Sequence, residues 1–159
     1  MTLYHGSNMA VMEPKLVART RTLDFGDAFY LTSDFVLAAR WAKSAVRRRG
    51  EGEAFVSVFE VDERDLMSLE VMKFTSPDAG WLRYVTSNRA EDFDELKIDV
   101  VIGPVANDNT MPVLNLYFKG AYSEDEALRR LMTQKLRDQY AFKTMKAISL
   151  LKFVEAKKL

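Results

Sequence analysis

The sequence predicts an α+β fold, and three observations carry that reading. A chain of 159 residues can bury roughly two-thirds of the surface that its extended form exposes, enough for one ordinary core. Apolar residues make up 48% and charged residues 29%, a balance that excludes low-complexity disorder, and no long uncharged apolar run is present to span a membrane. Strand and helix signals follow one another in mixed order, which points away from the strict alternation of a doubly wound parallel sheet. No linker, repeat or biased tract interrupts them, so residues 1–159 are expected to form a single domain.

Leu3-Tyr4-His5 reads as a short strand ended by Gly6, and after a polar, proline-containing stretch Phe29-Tyr30-Leu31 reads as a second. Ser33 or Asp34 can cap the helix that follows, because Phe35, Ala38, Ala39, Ala42 and Val46 repeat at threes and fours and Arg47-Arg48-Arg49 suits a helix C-terminus before Gly50. Phe55, Ser57, Phe59 and Val61 alternate with Val56, Val58 and Glu60, the pattern of a half-buried strand; Leu69 to Phe74 is a further candidate. Ser76-Pro77-Asp78 marks a helix start, with proline expected at the first helical position and the end at Ser87-Asn88. Asp99 to Gly103 reads as a buried strand, and Pro112 to Phe118 is open between strand and helix. Ser123 and Glu126 form a capping box for a helix expected to continue to Leu136. In the strand Asp138 to Thr144, Tyr140 and Phe142 share one face while Gln139, Ala141 and Lys143 share the other. A short helix from Thr144 to about Leu150 and a strand near Lys152 to Glu155 complete the order.

The composition removes several chemistries. Lysine plus arginine number 23 and the acids 23, so no global field draws the protein to nucleic acid or an anionic bilayer, and any such contact must be local. Arg40, Lys43, Arg47 and Arg48 are one such local patch, which keeps a nucleic-acid acceptor open. With no cysteine there is neither a thiol nucleophile nor a sulfur ligand, and a single histidine, His5, excludes a multi-histidine zinc site. No metal is implied. The seven glycines form neither a dinucleotide fingerprint nor a phosphate-cradling loop. The first residues hold no basic stretch followed by an apolar one, so no secretory leader is expected, and the cytoplasm is the expected compartment.

His5, at a strand end before a glycine, can exchange hydrogen bonds with a sugar diol, or it can be a packed histidine. Tyr30 and Trp41 are suited to sandwich a cationic pyridinium, a contact of about 0.5–2 kcal/mol per face, though strand and helix aromatics also serve as core. Asp108 lies in a polar loop after a buried strand, where an Asx-type turn is the alternative role. Asn88-Arg89 can reach a phosphate or simply end its helix. Arg19 and Arg21 are candidates to neutralise a pyrophosphate, with solvated surface charge the alternative role for each.

Three segments together resemble the ADP-ribosyltransferase superfamily, on the side that uses a His-Tyr-Glu triad as in the poly-ADP-ribose polymerases and diphtheria toxin. They are Leu3-Tyr4-His5-Gly6-Ser7, Phe29-Tyr30-Leu31-Thr32-Ser33 running on to Trp41, and Asp138-Gln139-Tyr140-Ala141-Phe142. The chain is similar over nearly its whole length to a bacterial family of small ADP-ribosyltransferase-like domains found beside toxin-antitoxin genes, which shares Asp24-Phe25-Gly26 and Gly103-Pro104-Val105-Ala106-Asn107-Asp108-Asn109. The resemblance implies a split β-sheet with flanking helices and a central NAD cleft. It implies His5 on the NAD ribose, Gly6 and Ser7 at the nicotinamide carboxamide, Tyr30 and Trp41 on the two nicotinamide faces, and a catalytic triad of His5, Tyr30 and Gln139. The reaction implied is transfer of ADP-ribose to a macromolecular acceptor with loss of nicotinamide, in a bacterial toxin or effector that pairs with an antitoxin protein.

Two departures accompany it. Ala38 stands where the polymerases place a serine, and Gln139 stands where the catalytic glutamate is expected. A glutamine oxygen accepts the same bond from a ribose 2′-hydroxyl at roughly half the strength of a carboxylate; Gln139→Glu is accordingly expected to retain or raise turnover, and Asp108 is the alternative acid. A noncatalytic NAD-binding or interaction module and an NAD glycohydrolase are the rival readings.

Overall fold

The computed structural model describes residues 1–16, 23–89 and 97–159. Among the described residues, two sheets and six helices give a mixed α+β architecture. The first sheet has the order β1-β3-β7, built from β1 (Thr2–Ser7), β3 (Phe55–Glu60) and β7 (Lys152–Lys158), all antiparallel. The second has the order β2-β6-β5-β4, from β2 (Phe29–Leu31), β6 (Asp138–Phe142), β5 (Val100–Pro104) and β4 (Val71–Lys73), with only the β4–β5 pair parallel.

Helix α1 (Phe35–Arg49) covers the outer face of the first sheet. Asp34 caps it by accepting from the Leu37 amide at 2.9 Å, the left-handed Gly50 closes it, and three arginines sit in its last turn, so the local signals act together. Its buried stripe is Ala38, Ala42 and Ala45. The small side chains let β1 come very close: a Cβ on Gly6 would lie 1.9 Å from the Ala38 carbonyl oxygen. Position 6 must therefore be glycine, and Ala38 is occupied with holding β1 against α1.

Between the sheets lies one core cluster, in which Leu3 and Phe59 of the first sheet meet Phe29, Leu31 and Phe142 of the second. The helices α2 (Glu63–Met67) and α6 (Met145–Ile148) close it with Leu66 and Ile148. The outer face of the second sheet carries Tyr30, Val101 and Ala141 and packs under α3 (Ala79–Arg89), α4 (Met111–Phe118) and α5 (Glu124–Leu131). Trp81, wholly buried in that layer, donates its indole N–H to the Pro104 carbonyl at 2.9 Å.

Several expectations change at this level. Strand β3 is the middle strand of its sheet, so Val56, Ser57, Val58 and Phe59 are all buried rather than alternately exposed. Pro112 to Phe118 resolves as a helix, with proline in its first turn. Pro77 lies ahead of α3, whose first turn is capped instead by Asp78 accepting from the Trp81 amide at 2.9 Å, and the helix runs on to Arg89. Helix α5 stops at Leu131, well before Leu136, and β7 extends to Lys158.

Candidate functional site

Among the described residues an isolated bridge joins the two sheets: Tyr4 of β1 and Thr32, just after β2, exchange both backbone hydrogen bonds, at 2.9 and 3.0 Å. That junction sets the next residue of β1, His5, beside Tyr30. The His5 Nδ1 lies 2.7 Å from the Tyr30 carbonyl oxygen, and because a carbonyl can only accept, the proton sits on Nδ1 and Nε2 is the acceptor of the neutral ring. The ring stacks on Phe29 with centroids 4.2 Å apart and 26° between planes. Backbone contact and stacking together fix both tautomer and orientation.

Beside the junction lies a cleft of about 440 Å³, within the size range of small-molecule sites. One wall comes from β1 and α1 and carries His5, Gly6, Trp41, Ser44 and Arg48. The other comes from the outer face of the second sheet and its loops, and carries Tyr30, Gln139, Asp24, Arg89 and Met111. His5, Gly6, Tyr30, Trp41 and Gln139 thus meet around one space although they come from four separate segments.

Tyr30 is both core and wall. It is buried in the outer cluster, and its hydroxyl donates to the Gly26 carbonyl at 2.6 Å while accepting from the Phe25 amide at 3.2 Å. Those contacts pin the Asp24-Phe25-Gly26 turn, in which the Gly26 amide returns to the Leu23 carbonyl at 3.0 Å and Gly26 takes the left-handed φ of 76° that glycine adopts at no steric cost. Phe25 is fully buried, so the turn is anchored from below.

Gln139 lies on the same sheet face as Ala141 and Tyr30, the register placing Tyr30 opposite Ala141 and Gly103 opposite Gln139. The residue is 3% exposed, and Nε2 donates to the Pro104 carbonyl at 3.3 Å, which makes the other branch of the amide, Oε1, the acceptor. Asp138, its neighbour, holds the turn between β2 and α1. One carboxylate oxygen accepts from the Thr32 hydroxyl at 3.0 Å and the Ser33 amide at 2.9 Å, and the other from the Ser33 hydroxyl.

Other predicted positions lie elsewhere. Ser7 is buried next to Asn8 at the end of β1 and does not line the cleft. Asp108 is exposed and outside the cleft as well. The Asx-type turn of its loop belongs to Asn107, whose side-chain oxygen accepts from the Asn109 and Thr110 amides, each at 3.0 Å. Arg19 and Arg21 lie outside the described residues.

Two cleft residues escaped the sequence reading as a pair. Arg89 at the end of α3 donates to Asp24 at 2.6 Å, and its guanidinium sits 5.3 Å above the Phe118 ring. Asp24 is the one carboxylate lining the cleft among the described residues, and it is already engaged. Both lay in noticed segments, the Asp-Phe-Gly turn and the Asn-Arg helix end, but nothing local tells that positions 24 and 89 meet. Among the described residues no cluster of three histidine, cysteine or acidic side chains could hold a metal ion, and no helix is long and apolar enough to cross a membrane.

The chain belongs to the family described as "Protein of unknown function (DUF3990)", whose profile matches residues 1–153. No curated protein and no solved structure matches it.

Proposed function

We propose that this protein is an NAD-dependent ADP-ribosyltransferase with the split-sheet fold of that superfamily, a bacterial toxin or effector acting in the cytoplasm on a macromolecular acceptor. The observation that carries the reading is the convergence on one cleft of His5, Tyr30, Trp41 and Gln139, the residues to which the resemblance assigns roles.

When NAD is bound, the chemistry is cleavage between nicotinamide and the ribose C1′, with nicotinamide leaving with the bonding electrons and the acceptor nucleophile attacking C1′ and losing its proton. In this reading the chain orients the ribose and steadies developing positive charge. His5, its proton held on Nδ1 by the Tyr30 carbonyl, accepts from a ribose hydroxyl through Nε2. Tyr30 and Trp41 flank the nicotinamide. Gln139, with Nε2 committed to Pro104, presents Oε1 to the 2′-hydroxyl, a neutral bond roughly half as strong as the one a carboxylate makes.

A noncatalytic NAD-binding module is the second reading, and one observation favours it: the cleft's one described carboxylate, Asp24, is tied to Arg89. Labelled NAD incubated with the purified protein, with and without cell lysate, separates the possibilities. Free nicotinamide and label on macromolecules are followed separately. Lysate-dependent labelling is expected; nicotinamide release without labelling makes the protein a glycohydrolase, saturable binding alone makes it a module, and no binding refutes the NAD reading.

A further inference from the structure

We propose that the exposed face of α1 docks a single strand of nucleic acid by its phosphates, alongside the cleft. That the docked strand is the acceptor rests on the function proposed above; the docking surface itself does not.

Helix α1 carries arginines or lysines at 40, 43, 47, 48 and 49 and no acid. The partial negative charge at a helix C-terminus accounts for those of the last turn. That field fades within a turn, so it gives no reason for Arg40 and Lys43 in the middle. Spacings of three and four residues put Arg40, Lys43 and Arg47 in one row, and all three are exposed. Within the helix the row is unfavourable, because like charges three and four apart repel. Nor is it compensated from outside: among the described residues none of the three is in an ion pair. Asp34, the acid just ahead of the helix, is engaged with Arg137 at 2.7 Å.

The place of the row supplies a use for it. One position further round the helix, Trp41, Ser44 and Arg48 line the cleft, so row and cleft share an edge. Protein interfaces are built around an apolar or aromatic centre and are poor in lysine. The row has only Val36 in line with it, 53% exposed at its N-terminal end. Cations without an apolar centre are instead the composition of a nucleic-acid interface, where affinity comes from counterions released as phosphates are neutralised. The chain as a whole has 23 basic and 23 acidic residues, so such binding is local to this face. A single strand fits it because a base reaches a cleft of about 440 Å³ only when it is out of a duplex stack.

The test is fluorescence anisotropy with a labelled oligonucleotide of about twelve nucleotides, offered as a single strand and as a duplex, with polyglutamate as a competing acidic polymer. The proteins are the wild type, Arg40→Gln/Lys43→Gln, and the control Arg64→Gln/Lys73→Gln, which removes two cations from α2 and β4, away from the cleft lining. Glutamine has about the helix propensity of arginine and lysine, and melting curves check the fold. Three neutralised phosphates predict that the wild type binds the single strand about twentyfold more weakly at about 200 mM salt than at about 50 mM, and the α1 variant only about threefold more weakly. At the lower salt the α1 variant is expected to lose about tenfold or more in affinity, with the control unchanged. The wild-type salt dependence needs no variant and decides the matter if one does not fold. No binding of the single strand, equal binding by wild type and α1 variant, preference for the duplex, or displacement of the strand by polyglutamate at equal charge overturns the docking surface. With labelled NAD added, label is expected on the bound strand and reduced in the α1 variant; label on lysate proteins alone overturns its role as acceptor. A strand bound through the row without NAD cleavage keeps the surface and removes the NAD reading, and NAD cleavage without strand binding does the reverse.

Discussion

Replacing Gln139 separates its place in the fold from its place in the proposed chemistry. In Gln139→Leu the bond to Pro104 is lost, but the Pro104 carbonyl keeps the Trp81 indole N–H at 2.9 Å and is not orphaned. The cost is then that of one ordinary hydrogen bond, about 0.5–1.5 kcal/mol, or roughly 1–6 °C in melting temperature for a domain of this size. Gln139→Glu behaves differently. A carboxylate at a position 3% exposed would face the Pro104 carbonyl oxygen with no proton to give, so the acid form, which can donate, is favoured and the pKa rises. Each tenfold rise in its affinity for the proton costs about 1.4 kcal/mol once the group is ionised, or roughly 3–6 °C. Because the folded pKa lies above the unfolded value of about 4.3, this penalty is absent at acid pH, grows as pH climbs from there through the raised value, and is constant above it. The Gln139→Glu variant should therefore melt close to the wild type near about pH 4 and well below it near about pH 8, and any gain in turnover should appear only above the raised pKa. Differential scanning calorimetry across that range, paired with NAD cleavage at each pH, reads both quantities. A Gln139→Glu variant whose melting follows pH as the wild type does would refute the Pro104 contact, and wild-type cleavage by Gln139→Leu would take Gln139 out of the mechanism.

Tyr30→Phe removes both hydroxyl contacts to the 25–26 turn and should lower stability by about 1–3 kcal/mol while keeping most NAD affinity, since the ring remains; a titration and a melt give the two numbers, and unchanged melting would show that the hydroxyl does not hold the turn. Gly6→Ala pushes a methyl into the Ala38 carbonyl and should cost about 1–3 kcal/mol or more, measurable by urea unfolding; a neutral substitution would mean β1 and α1 are not in close contact. The Asp99 carboxyl is held below its ordinary value chiefly by the Thr144 hydroxyl, then by the Glu70 amide and Lys146, against the opposing effect of burial. A folded pKa below the unfolded one gives stability that is complete above the ordinary aspartate value and is lost as pH falls through the folded value. Thr144→Val should therefore move the acid-unfolding midpoint upward, and an unmoved midpoint would count against that bond.

How far the fold could be read depended on whether its determinants were local. Helix α1 was legible because its cap, its apolar stripe and its terminal arginines lie within one segment. Strand β6 was legible because Gln139 and Ala141 alternate with Tyr140 and Phe142, and the structure sends the first pair to the outer face and the second toward the inter-sheet core. Helix α2 has five residues and one buried side chain, Leu66, too short for a helical period to emerge. The length of β7 is set by its ladder with β3, from Phe55 opposite Lys158 to Glu60 opposite Lys152, and most of its side chains are exposed, so its own sequence carries no alternation to read.

The site follows the same division with one addition. Motif resemblance directed attention to His5, Tyr30 and Gln139 without saying why they meet, and the answer lies in backbone geometry rather than in those side chains. The Tyr4–Thr32 bridge fixes β1 against β2, the antiparallel β2–β6 register carries Gln139 to the Tyr30 face, and Asp138 ties β6 back to Thr32 and Ser33. Each is a contact between distant segments, as is the Asp24–Arg89 pair. It follows that residues that do not line the cleft, Asp138 above all, should govern its shape. Loss of its carboxylate frees the turn that enters α1, and with it the position of Trp41 relative to Tyr30.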